Sequence, residues 1–417
     1  MYALIDCNNF YVSCERAFKP HLHNKPIIVL SNNDGCVISR SNEAKALEIP
    51  MAAPLFKYRE IIKDNNVLVF SSNYELYDDM SRRIISILSE FTPRIEVYSI
   101  DESFIDLTGF AITNLKDYAL NIVKSVKQRA HIPVSVGIAP SKSLAKIANK
   151  IAKNFETKTN SVCVLDTEEK CIKALKHTKI EDVWGIGYHI SKRLQNIGIY
   201  RAYDFTQLPD DYVRSEFTVV GLRLKKDLEG QSIIEFNKQQ KPKNIAITRT
   251  FPKVKTTYED MKERVATFTV SCAEKLRRKQ LACKQLEVFI KTNKHAKDHR
   301  KYYKSILVKL PQASNSNFTL IEYAIKGLEM IFKSGYGYKR AGVILSDFVD
   351  ENTVQTNLFY QENIKYKPLM NVMDNLNEKY GKNTVIHGVQ SNKKWHNEQS
   401  FVSNRYTTCW DELLEVN

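Results

Sequence analysis

The chain has 417 residues, 43% hydrophobic and 26% charged, with a formal net charge of +15. That length buries several cores and predicts about two to four domains, and no stretch is long or apolar enough to cross a membrane as a helix. The charge is localised: between Lys238 and Lys309 stand 20 Lys and Arg against six Asp and Glu, an imbalance that favours a nucleic-acid-binding module over the alternative of a solvated basic surface.

In chain order, Tyr2 to Cys7 reads as a buried strand ending on Asp6. It has no basic leader, and Asp6 interrupts what would be a signal-peptide core, so a cytosolic protein is expected. Pro26 to Leu30 is a second strand, Asn32-Asn33-Asp34-Gly35 its turn, and Cys36 to Ser39 a third, followed by a helical start at Ser41. Leu76, Met80, Ile84, Ile87 and Leu88 share one face of a helix over 74–90. A hairpin at 95–107 carries Asp101 and Glu102, a helix covers 115–130, and the strand Val134 to Ile138 feeds a helix capped by Ser141.

From about 166 to 235 the pattern is helical around Val183-Trp184-Gly185-Ile186-Gly187. Two glycines between short helices can aim backbone N–H groups at a phosphate, although a bare Gly-x-Gly also serves as a plain turn. Residues 238–242 form a basic linker. The segment after it reads strand (245–251), helix (258–280), strand (284–291), strand (302–310), helix (318–333) and strand (340–348), a βαββαβ module. Beyond 350, Asn, Lys and Gln with scattered aromatics predict an extended, partly disordered tail. The eight cysteines form no Cys-x-x-Cys and no zinc spacing, so reduced thiols are expected.

Asp6, Asp101 and Glu102 carry the chemistry. A buried carboxylate needs a partner or a metal to stay ionised, and carboxylates gathered at strand ends suit Mg²⁺ and phosphoryl transfer. Consecutive strand residues point to opposite faces, so Asp101 and Glu102 share a site only at a hairpin end or bulge. Spacing alone leaves open a turn with two solvated acids. Asp106, further along, is expected to be structural.

Asp6 with Phe10-Tyr11, Tyr98-Ser99-Ile100-Asp101-Glu102, and Ser143-Leu144-Ala145-Lys146-Ile147-Ala148 resemble the Y-family translesion DNA polymerases. Leu30 to Ile38, Phe70 to Tyr77, Asp182 to Gly187 and Arg405-Tyr406-Thr407-Thr408 are similar to the UmuC-type branch, the catalytic subunits of bacterial DNA polymerase V. The resemblance spans essentially the whole chain. It implies an α+β right hand: palm (1–10 and 76–165), fingers (11–75), helical thumb with a helix-hairpin-helix (166–237), βαββαβ little finger (243–350) and a C-terminal tail (351–417).

It further implies two Mg²⁺ ions on Asp6, Asp101, Glu102 and the Cys7 carbonyl, serving transfer of deoxynucleotides from dNTP onto a primer 3′-hydroxyl. Tyr11 falls at the steric-gate position, where a ring under the deoxyribose leaves no room for a 2′-hydroxyl, with Phe10 beside it facing the core yet counted among the nucleotide-binding positions. Ser39, Asn42, Lys45 and Lys153 align with nucleotide-binding positions. Asn42 and Lys45 stand where DinB-like enzymes commonly carry Tyr and Arg, so a point charge replaces a bidentate fork. Gly185 and Gly187 are expected at primer-template DNA. Gln355-Thr356-Asn357-Leu358-Phe359 is similar to the pentapeptide that binds the bacterial sliding clamp through Gln355, Leu358 and Phe359. A processed UmuD dimer and a RecA filament are implied partners, in SOS mutagenesis. A palm-type nucleotidyl cyclase would have no need of the hairpin or the basic module, and a silent accessory protein no need of three costly carboxylates.

Overall fold

The computed structural model describes residues 1–110, 114–236, 242–293, 300–355, 357–381, 383–390 and 399–414. The expected linker, apart from Pro242, and Thr356 of the pentapeptide lie outside the described residues. The chain forms two compact units, Met1–Gln239 with Glu398–Asn417, and Gln240–Asn397.

The first unit runs β1 (Tyr2–Cys7), α1 (Phe10–Phe18), β2 (Ile27–Leu30), β3 (Val37–Arg40), α2 (Asn42–Ala46), α3 (Arg59–Asp64), β4 (Leu68–Ser71) and α4 (Tyr74–Ser89). It continues through β5 (Ile95–Val97), β6 (Glu102–Asp106), α5 (Leu115–Ala130), β7 (Val134–Ala139), α6 (Lys142–Asn154), α7 (Glu156–Thr159) and β8 (Val162–Val164). The helical stretch comprises α8 (Glu168–His177), α9 (Tyr188–Asn196), α10 (Ala202–Thr206) and α11 (Asp210–Leu228).

β1 lies at the centre of a five-stranded sheet ordered β5-β6-β1-β7-β8. Its side chains alternate between two cores. Ala3 and Ile5 join Leu76, Met80, Ile84, Ile122 and Val126 from α4 and α5, whereas Leu4 joins Phe104, Leu144 and Ala148 on the α6 side. A strand covered on both faces reads as a continuous apolar run, which explains the opening of the sequence. The predicted helices at 74–90 and 115–130 are found at 74–89 and 115–130. Ser141 caps α6 by accepting the Leu144 N–H at 3.3 Å.

A second sheet, β3-β2-β4, buries Ile28, Leu30 and Val37 against Ala44 and Ile49. α1, which begins at Phe10, sends Val12 and Cys14 into the core shared with α4 and α5. The helical stretch packs Leu175, Ile180, Leu194 and Phe205 together. The element before the Gly185–Gly187 turn is a single 3₁₀ turn, Ile180–Asp182, in place of a full first helix.

In the second unit, β9 (Asn244–Lys255), α12 (Tyr258–Arg277), β10 (Leu281–Thr292), β11 (Tyr303–Ser314), α13 (Asn317–Ile331) and β12 (Tyr338–Asp350) reproduce the expected βαββαβ order. The strands align as β11-β10-β12-β9. Leu286, Val288, Ile290, Val343 and Leu345 meet Val265, Cys272, Leu320 and Leu328 of the helices. The opposite sheet face carries the exposed Lys309 and Arg340, with Thr248 accepting from the Arg340 guanidinium at 3.0 Å.

The tail departs from expectation. It contains a 15-residue helix, α14 (Tyr366–Tyr380), held by a bidentate ion pair from Arg277 to Asp374 at 2.6 and 2.7 Å. Phe318 stacks on Tyr366, ring centroids 4.6 Å apart, and Met370 and Met373 are buried. Leu369, Met370, Val372, Met373 and Leu376 carry a helical period that the surrounding Asn and Lys obscured. Residues 399–414 then return to the first unit, where Ser71 N–H donates to the Phe401 carbonyl at 2.9 Å. Ser403 Oγ and Tyr77 OH both donate to Glu15 Oε1, at 3.0 and 2.8 Å.

Burial pushes the Glu15 carboxyl up to about 7, against the lowering by its Tyr77 and Ser403 hydrogen bonds and by Lys19. Because the folded value lies above the ordinary one, the fold favours the neutral acid. That stabilisation is complete below about pH 4.5 and is lost as pH rises through 7. Its span is about 3 kcal/mol. Glu15→Gln is expected to gain stability over wild type between pH 5 and pH 8 by up to that amount. Urea melts at the two pH values check it, and equal pH dependence in both proteins contradicts the assignment.

Candidate active site

β1 and β6 are antiparallel neighbours whose register sets Asp6 opposite Glu102. On alternation, Asp6 falls on the face of Leu4, and Glu102 on that of Phe104, so both carboxylates lie on the α6 side. Asp101 occupies the last position of the turn before β6, where the Cys7 N–H donates to its carbonyl at 2.9 Å. The predicted hairpin end therefore brings the adjacent acids to one place. Ser99 builds it: its Oγ accepts the Glu102 N–H at 3.0 Å and donates to Asp101 Oδ1 at 2.5 Å.

The backbone gathers the three acids, yet each side chain turns to its own partner. Lys153 Nζ sits 2.5 Å from Asp6 Oδ1, and Lys146 Nζ is 2.9 Å from Glu102 Oε1. Among the described residues no three His, Cys, Asp or Glu side chains close around one point. The strands bring the three acids together, and their side-chain oxygens are held by Lys153, Lys146 and Ser99. Burial pushes the Asp6 carboxyl up to about 6, against the pull of Lys153, and the charges of Glu102 and Asp101 add to the rise. Three carboxylates and a backbone carbonyl are the hard oxygen donors that Mg²⁺ takes, so the residues fit that ion.

Both lysines come from α6, which lies almost against β7. A Cβ built on Gly137 would stand 2.1 Å from Asn149 N and 2.4 Å from the Ala145 carbonyl oxygen. Asn149 Nδ2 donates to the Leu4 and Ser135 carbonyls at 3.2 and 2.7 Å, fastening the helix across β1 and β7. Seven residues, about 10.5 Å of helix, separate Lys146 from Lys153. The same stripe begins with Lys142, which is buried at 1% exposure and bonded to Glu96 at 2.5 Å. It also includes Lys150, paired with Asp182 at 2.6 Å. Lys146 additionally lies over the Tyr98 and Trp184 rings, 4.5 and 5.5 Å from their centroids. This lysine spacing is legible in the sequence as an i, i+4, i+8, i+11 stripe, of which the family resemblance points only to Lys153.

Tyr11, on the first turn of α1, stacks on Tyr77 with centroids 4.5 Å apart and meets the edge of Tyr74 at 6.0 Å. Phe10 is 3% exposed and belongs to the core, so its side chain is not available to a nucleotide. Asn42 Oδ1 accepts from Asn9 Nδ2 at 3.0 Å and from Lys45 Nζ at 3.3 Å, tying α2 to the start of α1. Burial and the charges of Arg40 and Lys153 lower the Lys45 pKa, which places three cations together. Arg40, which the sequence reading passed over, is half-buried beside Ser39 at the end of β3. Asp106 is structural, accepting the Thr108 N–H at 2.8 Å and pairing with Arg94.

Away from this cluster, Gly185 has φ +87, a value natural to glycine, and Gly187 caps α9. In the second unit Leu358 and Phe359 are 96% and 99% exposed. The Asn357 amide beside them donates to the Pro311 carbonyl at 2.9 Å. Gln355 is exposed as well.

The fold is that of a Y-family DNA polymerase: a solved Y-family polymerase chimera superposes with a TM-score of 0.67 over 84% of this chain and 99% of its own, at 19% identity. Residues 5–150 match the impB/mucB/samB family, residues 242–358 its C-terminal domain, and residues 367–416 a domain of unknown function. Protein UmuC of Salmonella typhimurium is 40% identical over the whole of both chains. A DNA polymerase IV of Bacillus velezensis is 25% identical over 94% of this chain and 93% of its own. The chain therefore belongs to the impB/mucB/samB family, the UmuC-type branch of the Y-family translesion DNA polymerases. No helix among the described residues is long and apolar enough to cross a membrane.

Gly137→Ala tests the helix–strand approach that places Lys146 and Lys153. The methyl would meet backbone atoms that cannot yield, so a loss of about 3 kcal/mol or more is expected. Thermal unfolding measures it, and a wild-type melting temperature contradicts the account.

Proposed function

We propose that this chain is a template-directed, lesion-bypass DNA polymerase that extends a primer 3′-hydroxyl with dNTPs through the β1–β6 carboxylates. The observation carrying it is the cross-strand pair Asp6–Glu102, with Asp101 adjoining, facing α6 beside Arg40, Lys45 and Lys153. Asp6, Asp101, Glu102 and the Cys7 carbonyl would hold two Mg²⁺ ions, which when bound offset charge at the attacking oxygen and on the leaving pyrophosphate. Lys153, Lys45 and Arg40 bind the triphosphate, Ser39 and Asn42 shaping the same pocket. Tyr11, braced by Tyr74 and Tyr77, excludes a ribose 2′-hydroxyl.

We assign 1–10 and 76–165 as palm, 11–75 as fingers, 166–237 as thumb, 243–350 as little finger and 351–417 as tail. The N–H groups around Gly185 and Gly187 and the open sheet face with Lys309 and Arg340 contact the DNA backbone, which positions without reading sequence. Gln355, Leu358 and Phe359 dock on the sliding clamp, for which two fully exposed apolar side chains on a tethered loop are suited. A processed UmuD dimer and a RecA filament are the partners proposed by family, and the enzyme acts at the chromosome in the bacterial cytoplasm.

Asp101→Ala with Glu102→Ala is expected to reduce primer extension by at least about 10³-fold while DNA binding persists. Wild-type extension by the double variant would remove the carboxylates from catalysis. Leu358→Ala with Phe359→Ala should abolish stimulation by added clamp and leave basal synthesis intact. Undiminished stimulation in that variant places the tether elsewhere.

A further inference from the structure

The returning C-terminal segment reaches the back of the aromatic cluster that contains Tyr11. Its path is fixed by the backbone pairing of Phe401 with Ser71, by Gln399 Nε2 donating to the Ser72 carbonyl at 2.9 Å, and by Tyr406 stacked on Phe18 at 4.7 Å. Between these anchors Ser403, 3% exposed, points inward. Its hydroxyl donates to Glu15 Oε1 at 3.0 Å and accepts from Asn73 Nδ2 at 3.1 Å. Only a hydroxyl can do both at that size.

The two partners belong to the two turns that hold the ring cluster. Glu15 lies one turn after Tyr11 on α1, and Asn73 caps α4 by accepting the Leu76 N–H, immediately before Tyr74 and Tyr77. Tyr77 closes the circuit: its ring stacks on Tyr11 and its hydroxyl shares Glu15 Oε1 with Ser403. The separation of α1 from α4 determines how Tyr11 sits against Tyr77, and the Ser403 hydroxyl stitches that separation. We infer that Ser403 is a positioning residue for sugar selection, holding the Tyr11 ring from behind through Glu15, Asn73 and Tyr77. A segment some four hundred residues away in sequence thereby sets the discrimination between deoxyribo- and ribonucleotides. The inference rests on the gate role proposed for Tyr11.

Single-nucleotide insertion by the full-length protein on primer-template DNA, with dCTP and with CTP, tests it. Ser403→Ala should retain dCTP insertion and raise the CTP-to-dCTP ratio of kcat/KM by about threefold to tenfold, the worth of one buried hydrogen bond. Ser403→Thr, which keeps the hydroxyl, should restore the wild-type ratio, whereas a general loss of packing would not distinguish the two substitutions. Tyr11→Ala runs beside them and should relax the ratio further. An unchanged ratio in Ser403→Ala, with Tyr11→Ala relaxed, overturns the positioning role alone. An unchanged ratio in Tyr11→Ala overturns the gate itself and this inference with it.

Discussion

The near-contact of α6 with β7 at Gly137 governs the carboxylate-bearing face of the five-stranded sheet. With no Cβ between them, the helix backbone rests on the strand, and Asn149 secures it by bonding carbonyls of two different strands. From that fixed axis the lysine stripe reaches four separate targets. Lys153 meets Asp6, Lys146 meets Glu102, Lys150 meets Asp182 and Lys142 meets Glu96. A helix one methyl further from the sheet would move every ammonium relative to its acid.

Two of those contacts join the carboxylate cluster to the helical stretch. Lys146 bridges Glu102 to the face of Trp184, which precedes Gly185, and Trp184 Nε1 donates to Tyr98 OH at 3.0 Å. Lys142 is buried against Glu96, donates to the Glu235 carbonyl at 2.7 Å and lies over the Phe104 and Phe236 rings. A buried ion pair of this type contributes little net stability but costs several kcal/mol when one partner is removed. Its effect is to hold the segment after α11, at Glu235 and Phe236, in one arrangement against α6 and β5. The β1–β6 carboxylates and the glycine hairpin are thus joined through Lys146, Trp184 and Tyr98.

The tail adds a second constraint from the opposite end of the chain. Its helix is fastened to the second unit by Arg277 and Asp374, and its last described residues are fastened to the first by Ser71, Asn73 and Glu15. Composition concealed both attachments. Polar residues dominate the segment, and the few apolar ones that bury, such as Met370 and Tyr406, signal nothing without their partners. Buried polar anchors like Ser403 are invisible to a pattern search, because a serine in a polar tail is unremarkable until its acceptor is known.

Local rules sufficed for the elements. The period of two in β1 and β7, the helical period of α4, α5 and α12, the Ser141 cap and the Asp101–Glu102 hairpin end follow from neighbours in sequence, so the α+β and βαββαβ modules were legible from residues alone. The three acids stand out in the residues as candidates, whereas Tyr11 and Lys153 are picked out by the family resemblance. Partnership was not legible, because it depends on which residues distant in sequence become neighbours. Cross-strand register set Asp6 opposite Glu102, and the Gly137 approach brought Lys146 to Glu102. The packing of α2 brought Lys45 within reach of the charge of Lys153, and the returning tail put Ser403 behind Tyr11. Sequence determines which groups can do the chemistry; tertiary packing decided their partners, since hydrogen bonds and ion pairs act over a few ångströms of space and not along the chain.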